Sequence, residues 1–483
     1  MARIVRIGIV LVWLVLIGVL VRERLTAPAP APVESAPATL RTGEQWMNVY
    51  HQSQKIGYVH QRSAPVDGGF EFEERSLLRL VVMDTPQTVR TIITGRTGTD
   101  YALQRFNFEL SSSVGALRVH GAVRDGVLHL TLATGADEST QQIPLTGPIY
   151  LPATLQSLVA SGELRAGRQF DVQVFDPSVM KDATTRITVE RQEPVPEANS
   201  PQPAWRVREE YKGIRTTAWI DDHGTVLREE GPMGLVLRHT DEHDAVHGAW
   251  NGGAALDLVQ TVAIPVATHI EDPRDLSLLR VRLRGIDLDQ IPSDPRQRRT
   301  GDSWTIARED LGSVNSYPLP YTDAEQRASL AATSLLQVDH PRVRAAATEA
   351  VGDERDALHA VWRLLAWIHA YMNPVITMSI PNALQVLDER QGDCNEHAVL
   401  FAALARAAGL PTRIAAGVVY LDGAFYYHAW DEVWLGRWVS VDPVFNQFPA
   451  DATHLKFIEG GPEEHLALLQ IMGRVGIDVL ASR

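Results

Sequence analysis

The stretch QGDCNEHAVLFAALARAAGLP, from Gln391 to Pro411, contains the only cysteine among the 483 residues. A lone cysteine is most often a small buried hydrophobe that serves packing. It can also be a nucleophile, provided that its thiol is activated and a base lies within reach. The residues around Cys394 decide between these two interpretations.

The flanking sequence predicts that this cysteine opens a helix. Asp393 precedes it and Glu396 follows three residues after Asp393, which is an acidic form of the capping box. Asp393 is therefore the expected N-cap and Cys394 the first helical residue, with Gly409 ending the helix. The thiol would lie at the positive end of a helix, a position that favours the thiolate.

A predicted β-hairpin supplies a base. Residues 424–445, AFYYHAWDEVWLGRWVSVDPVF, form two alternating aromatic runs around a loop that contains Gly436. One register, with a three-residue loop that ends at Gly436, places His428 directly opposite Asp442. The register one step further leaves them diagonal on the same face and still within reach. We therefore expect these two side chains to touch and to present an imidazole nitrogen to Cys394.

Three blocks, GDCNEHAVLFAALARAAGLPTRIAAGVVY, HAWDEVW and WVSVDP, resemble the motif blocks of the transglutaminase-like superfamily in the same order. The resemblance covers roughly residues 383–457 and implies a papain-like α+β fold with a Cys-His-Asp triad. By position, Cys394 is the nucleophile, His428 the general base and Asp442 its orienter. Val444 stands where many members have threonine. No counterpart of the extra domains of calcium-regulated members is evident, so the resemblance implies no calcium requirement.

Neither a cofactor nor a metal ion is predicted. Glu396 and His397 lie beside Cys394 and suggest a metal cluster with His428, but a metal would occupy the thiolate. No second cysteine exists, and the local spacing is not that of a His-Glu-x-x-His helix. His454 either lines the pocket or is structural, and the sequence leaves both roles open.

The acceptor of the acyl group separates a hydrolase from a cross-linking enzyme. Asp431 and Glu432 are candidates for the acidic mouth of an amine tunnel, yet strand alternation puts only Glu432 on the face of His428. Four aromatic residues either form the hairpin core or wall an extended peptide substrate. They are Tyr426, Tyr427, Trp430 and Trp434. We therefore expect hydrolysis of a peptide or amide bond, with a cross-linker and a non-catalytic peptide-binding protein as alternatives.

The N-terminus predicts export. An uninterrupted apolar run, Ile7–Val21, lies between flanking arginines and favours an uncleaved membrane anchor over a cleaved signal peptide. The bulk of the chain is then expected outside the cytoplasmic membrane of a cell envelope. A net charge of −14 argues against nucleic acid as the main partner, and a peptide or protein substrate is the expected partner.

Composition and periodicity divide the chain into five segments. Period-two patterning with turn signals such as Asp125-Gly126 predicts antiparallel β structure, whereas helical periodicity begins near Pro341. The front β region resembles those that accompany this core in membrane-anchored bacterial proteins. The expected segments are 1–25 (anchor), 26–40 (Pro/Ala linker), 41–248 (antiparallel β domain), 249–325 (small β-rich unit) and 326–483 (transglutaminase-like catalytic domain).

Overall fold

The computed structural model describes residues 43–483, except for 83–84, 113–114, 135–136, 162–163, 179, 198–202, 212, 251–261, 377–379, 462–467 and 469–470. The predicted anchor and linker lie outside the described residues. Within the described part of the chain, no helix is both long enough and apolar enough to cross a membrane.

The N-terminal region is one sheet of fifteen strands, which confirms the predicted β-rich region. Neighbouring strands run antiparallel except β9 and β10, and β1 and β15 join its two halves. The strands are β1 (Gly43–His51), β2 (Gln54–Val66), β3 (Gly69–Val82), β4 (Thr85–Thr97), β5 (Leu103–Ser112), β6 (Gly115–Arg124), β7 (Val127–Thr134), β8 (Asp137–Pro144), β9 (Ile149–Tyr150), β10 (Gln169–Asp176), β11 (Lys181–Pro194), β12 (Pro203–Tyr211), β13 (Ile214–Ile220), β14 (Val226–Glu230) and β15 (Leu235–Thr240).

This sheet curls until strands from its two halves share a core. Helix α1 (Pro152–Ala160) buries Leu155 and Leu158 in a cluster with Met47 of β1 and Val172 of β10. A second cluster joins β5 to β10, where the rings of Phe106 and Phe175 lie 5.7 Å apart. A short helix, α2 (Glu242–His247), follows the last strand. Curling covers the apolar face that a long twisted sheet would otherwise expose.

The C-terminal region is built from helices and two small sheets. Its helices are α3 (Pro341–Val351), α4 (Ala357–Tyr371), α5 (Ala383–Glu389) and α6 (Cys394–Ala407). One sheet has the order β16-β23-β22-β25, with β24 paired to β23. Its strands are β16 (Ile264–Pro265), β22 (Thr412–Leu421), β23 (Ala424–Trp434), β24 (Trp438–Val441) and β25 (Leu455–Glu459). A two-stranded ladder, β20 (Asn373–Pro374) with β21 (Gln391–Gly392), holds the chain just before α6.

Helix α6 is the centre of this region. Every residue from Glu396 to Ala405 is buried, so the helix is enclosed on all sides rather than amphipathic. It packs against α3, α4 and α5 and against β22 and β23. Its many alanines allow these neighbours to approach closely. The first turn of α6 is thereby held against the strand that carries His428.

The second small sheet of the C-terminal region has four strands, one of which comes from the end of the chain. Its order is β18-β19-β17-β26, where β17 (Leu278–Arg284) pairs with β26 (Gly476–Ser482). The other members are β18 (Gln297–Thr300) and β19 (Ser303–Ala307). Apolar residues of this sheet share one core with β22, β23 and β25. Residues 264–307 therefore form part of the scaffold on which the hairpin of His428 rests.

Candidate active site

Cys394 begins helix α6, as the sequence predicts. The side chain of Asp393 accepts a hydrogen bond from the backbone N–H of Asn395 at 2.8 Å. The backbone N–H of Asp393 in turn donates to Glu396 Oε2 at 2.9 Å, which completes the capping box. Beyond the last turn, Gly409 adopts a φ of 84°, the left-handed conformation expected of a terminating glycine.

The Cys394 thiol lies against the strand of the predicted base. The residue is half-buried and packs against the core cluster that contains Ala429, the residue after His428. Burial raises the pKa of the thiol well above its usual value, and the charges of Asp393 and Glu396 raise it further. The helix terminus alone favours a thiolate, but desolvation and the nearby carboxylates outweigh it. Cys394 therefore rests as a thiol, contrary to the sequence-based expectation.

The hairpin adopts the second of the two expected registers. Trp434 pairs with Trp438 and Asp431 with Val441, so the loop is Leu435-Gly436-Arg437. Gly436 has a φ of 74°, which explains the glycine at this loop position. The register that places His428 directly opposite Asp442 is wrong. Both registers nevertheless predicted contact between the two side chains, because a diagonal pair on one face remains within reach.

His428 and Asp442 form a short hydrogen bond. His428 Nε2 lies 2.7 Å from Asp442 Oδ2, and both side chains are buried. The other oxygen, Oδ1, accepts the backbone N–H groups of Val444 at 2.8 Å and Phe445 at 3.0 Å. A carboxylate held in this way keeps the histidine proton on Nε2. The Nδ1 nitrogen then carries the lone pair that a general base requires.

Room for this arrangement comes from Gly417, the partner of His428 on β22. A Cβ atom added at Gly417 would lie 2.0 Å from the carbonyl oxygen of Leu455 on β25. Any other residue would therefore push β22 and β25 apart. Since β25 directly follows the loop that ends at His454, the close approach also brings His454 toward Asp442.

His454, for which the sequence leaves a pocket-lining and a structural role open, lies beside Asp442. Its Nε2 lies 2.8 Å from Asp442 Oδ2, the oxygen that also binds His428. Its Nδ1 faces the carbonyl oxygen of Asp451 at 3.1 Å, and the side chain is fully buried. His454 therefore packs behind the His428–Asp442 pair rather than lining an open pocket. Its signal in the sequence is only a second histidine twelve residues after Asp442.

The two buried aspartates of this cluster are held ionised. Burial alone would raise the pKa of Asp442, but its interactions with His428 and His454 outweigh burial and lower that pKa. The pKa of Asp451 is also lowered, because His454 and Arg274 offset its burial. Arg274 Nη1 lies 2.8 Å from Asp451 Oδ2. A chain of polar contacts therefore leads from Arg274 through Asp451, His454 and Asp442 to His428.

The same donor atoms raise the question of a metal ion. His428, Asp442 and His454 each offer one ligand atom, all within 4.8 Å of one another, and two imidazoles with a carboxylate are common metal ligands. Here, however, the contacts of 2.7 and 2.8 Å are those of hydrogen bonds between the donors themselves. An ion would have to displace both bonds. The sequence also suggests a metal cluster of Glu396 and His397 with His428. In the structure, His397 Nδ1 already donates a hydrogen bond to the backbone carbonyl oxygen of Asp393.

Three aromatic residues of the hairpin make packing contacts within the protein. Trp430 is fully buried, with its ring 6.2 Å from that of His428 and 5.2 Å from that of His454. Tyr427 packs on the core shared with the small sheet, and Trp434 contacts Trp438. These residues support the site from behind. Phe445, stacked 5.2 Å from His428, is the aromatic ring on the loop that follows Asp442.

The two carboxyl groups proposed for an acidic mouth are both buried. Glu432 is 2% exposed and bonds to Arg413 and Lys456 at 2.7 Å each. Asp431 is fully buried, and burial raises its pKa well above its usual value. Neither group can receive a lysine-like amine from solvent in this arrangement.

Residues 344–443 match the model of the family described as the transglutaminase-like superfamily. The resemblance of this region to that superfamily, predicted from its motif blocks, is confirmed. The architecture is thus a large β-rich N-terminal region followed by a transglutaminase-like region. The comparison with curated proteins gives no match.

Several solved structures are similar over part of the chain. A candidate cysteine protease from Cytophaga hutchinsonii is 15% identical, with a TM-score of 0.30, over 43% of this chain and 87% of its own. A beta-barrel-like protein of unknown function from Brucella abortus is 16% identical, with a TM-score of 0.33, over 42% and 96%. The periplasmic domain of TgpA from Pseudomonas aeruginosa is 19% identical, with a TM-score of 0.23, over 36% and 91%. These TM-scores are low, and no functional conclusion rests on them.

Proposed function

We propose that the protein is a thiol-dependent enzyme that cleaves peptide or glutamine amide bonds with a Cys394–His428–Asp442 triad. We further propose a papain-like arrangement, in which the nucleophile begins a central helix and the base lies on a packed hairpin. The observation that carries the proposal is the packing of helix α6, which begins at Cys394, against β23, the strand of His428, whose Nε2 binds Asp442 at 2.7 Å. This order of nucleophile, base and orienter supports a triad.

The chemistry begins from a neutral thiol. His428 Nδ1 takes the thiol proton as the sulfur attacks the carbonyl carbon, and a tetrahedral oxyanion forms. The backbone N–H of Cys394, at the start of α6, is a candidate donor to that oxyanion. His428 then protonates the departing amine, the carbon–nitrogen bond breaks, and a thioester remains. Water attacks the thioester, gives its proton to His428, and the acid and the thiol are released.

Hydrolysis is favoured over cross-linking on one observation. An amine acceptor must be bound and water excluded, which calls for an accessible acidic group near the thioester. Asp431 and Glu432, the two candidates from the sequence, are buried, and Glu432 is already paired with Arg413 and Lys456. These two residues therefore cannot form an amine-binding site that would compete with solvent water.

The first test combines trapping with two acceptors. A library of glutamine-containing peptides is offered to the protein, and the thioester on Cys394 is sought by mass spectrometry after acid quenching. Turnover is followed with a labelled primary amine present or absent. Cys394→Ala should remove adduct and turnover, a loss on the order of 10³-fold or more, while its circular dichroism stays unchanged. Predominant amine incorporation would identify a cross-linker and leave the triad in place.

The alternative from another class is a peptide-binding protein without catalysis. It predicts that peptides bind equally well to the wild type and to Cys394→Ala and that no thioester forms. Turnover that depends on Cys394 excludes this alternative.

We also propose that the folded part acts outside the cytoplasmic membrane, tethered by its N-terminus. Support comes from the apolar run Ile7–Val21 and its flanking arginines. A C-terminal reporter that is active only after export tests the location. Activity of a cytoplasm-only reporter at the same position would overturn it.

A further inference from the structure

A second histidine shares the orienting carboxylate of the proposed triad. Both ring nitrogens of His454 face oxygen acceptors, with Nε2 2.8 Å from Asp442 Oδ2 and Nδ1 3.1 Å from the carbonyl oxygen of Asp451. A carboxylate oxygen of Asp451 lies 3.4 Å from Nδ1. A neutral imidazole has one N–H and one lone pair, so one of its nitrogens would oppose an acceptor. Only the doubly protonated ring satisfies both contacts.

We infer that His454 is a buried imidazolium that balances the charge of Asp442, and thereby acts as a positioning residue that keeps His428 neutral and ready to accept the Cys394 proton. The effect on His428 and Cys394 rests on the proposed function. The protonation state of His454 does not, because it is inferred from the geometry of that side chain alone.

The charge balance follows from the neighbours of the cluster. Asp442 and Asp451 each carry a negative charge, and His454 and Arg274 each carry a positive one, so the four groups sum to zero without a proton added to His428. Two buried aspartates raise the pKa of His454 although burial opposes this. Without the imidazolium, Asp442 would present an uncompensated buried charge to His428. His428 would then be protonated more readily and lost as a base.

Other titratable groups face this cluster from the elements packed around it. Asp393, the N-cap of α6, and Cys394, Glu396 and His397 of that helix lie near it, and β23 contributes Asp431, which interacts with Asp442. The buried Arg296 donates to the carbonyl oxygen of Asp451 at 2.7 Å, but its charge is paired with that of Glu309 at 3.1 Å. Burial raises the pKa of Asp431 and lowers that of His397, so both are neutral. Asp393 and Glu396 act mainly on the thiol, whose pKa they raise. The charge that His428 meets through Asp442 is therefore controlled chiefly by His454.

The direct test is the protonation state of His454 in the full chain. Nitrogen-15 spectra of wild-type protein and of His454→Gln, compared by difference, identify the two ring nitrogens. We expect both to carry protons at pH 7. A His454 ring with one unprotonated nitrogen at pH 7 would overturn the inference, whether or not the protein proves to be an enzyme.

The second test separates positioning from a merely structural role. His454→Gln retains a hydrogen-bond donor toward Asp442 but removes the charge, so the acid limb of the kcat/KM profile should move up by about one pH unit. The matched control is His51→Gln, because His51 is another buried histidine, bonded to the carbonyl of Met233 in the N-terminal sheet. It should leave the profile in place. Lower activity of His454→Gln at every pH with an unmoved limb would contradict the inference.

The two tests fail in different ways. If Cys394→Ala turns over substrate as well as the wild type, the proposed function fails while the nitrogen-15 result still decides the state of His454. If the triad variants are inactive but the ring carries one proton, the proposed function survives and the inference falls.

Discussion

Carboxyl groups that are partly or fully buried occur in both the N-terminal and the C-terminal region, and their pKa values shift in opposite directions. In the N-terminal sheet, burial raises the pKa of Glu209 to about 7 and, together with the charges of Glu209 and Glu74, that of Glu229 to about 8. Glu229 accepts a hydrogen bond from a neutral amide, that of Gln156. In the C-terminal region, the pKa of Asp442 is lowered although it is fully buried.

The difference lies in the partners rather than in the burial. Asp442 receives two imidazole N–H groups and two backbone N–H groups, whereas the glutamates of the sheet face one another and neutral amides. Desolvation penalises a charge in both places, and only oriented cationic donors offset it. A buried acid with a perturbed pKa is therefore not by itself a functional site. The direction of the shift and its cause distinguish Asp442 from the glutamates of the sheet.

The largest effect is expected when Asp442 loses its charge. Asp442→Asn should lower kcat by about 10³- to 10⁴-fold, because an amide does not hold the Nε2–H form of His428. It should also destabilise the fold by about 3 kcal/mol, because the imidazolium of His454 then lacks a buried partner. Steady-state kinetics and urea unfolding measure the two changes. Asp302→Asn, at an exposed ion pair with Arg282, is the control, and a loss in kcat below tenfold would contradict the assignment.

In the N-terminal sheet, removal of a carboxyl charge is expected to stabilise the fold rather than destabilise it. The folded pKa of Glu229 lies above its unfolded value, so its contribution to stability is present at low pH and is lost as the pH rises through about 8. Glu229→Gln should therefore stabilise the protein at pH 8, by roughly 1 kcal/mol after allowance for partial hydration, and change little at pH 4. Activity should not change.

Thermal unfolding at the two pH values measures this effect. Glu210→Gln is the neighbouring control, since the side chain of Glu210 is 39% exposed and is paired with Arg215. Equal shifts for the two variants would show that the burial of Glu229 is not the cause. For Asp442 the sign is reversed: its contribution is present above its unfolded pKa and is lost as the pH falls through its lowered folded pKa.

The smallest effect concerns the acid beside the nucleophile. Asp393→Asn keeps an N-cap side chain but removes a charge that raises the pKa of the Cys394 thiol. Alkylation of Cys394 by iodoacetamide at pH 7 should become about threefold faster. Asp393→Ala separates the two roles, since it should also cost the fold about 1 kcal/mol through loss of the cap. An unchanged rate for Asp393→Asn would show that the charge of Asp393 does not contribute to holding the thiol protonated.

Local features of this protein follow from the sequence because they depend on near neighbours. The capping box of Asp393 and Glu396, the helix that ends at Gly409 and the turn at Asp125-Gly126 are all found as predicted. Each depends on backbone conformations and hydrogen bonds within a few residues. The contact of His428 with Asp442 also follows, since a hairpin pairs residues close in the chain and both plausible registers bring them together.

Other features were decided only when distant segments packed. Strand β26 pairs with β17, which lies almost two hundred residues earlier in the chain. The periodicity of a strand does not indicate which distant strand it pairs with. The place of His454 depends on β25 lying against Gly417 of β22. The protonated state of Cys394 depends on how completely the surrounding protein excludes water from a helix end that would otherwise favour the thiolate. Sequence determined which groups could react, whereas packing determined their charges, because desolvation and long-range hydrogen bonds exist only in the folded chain.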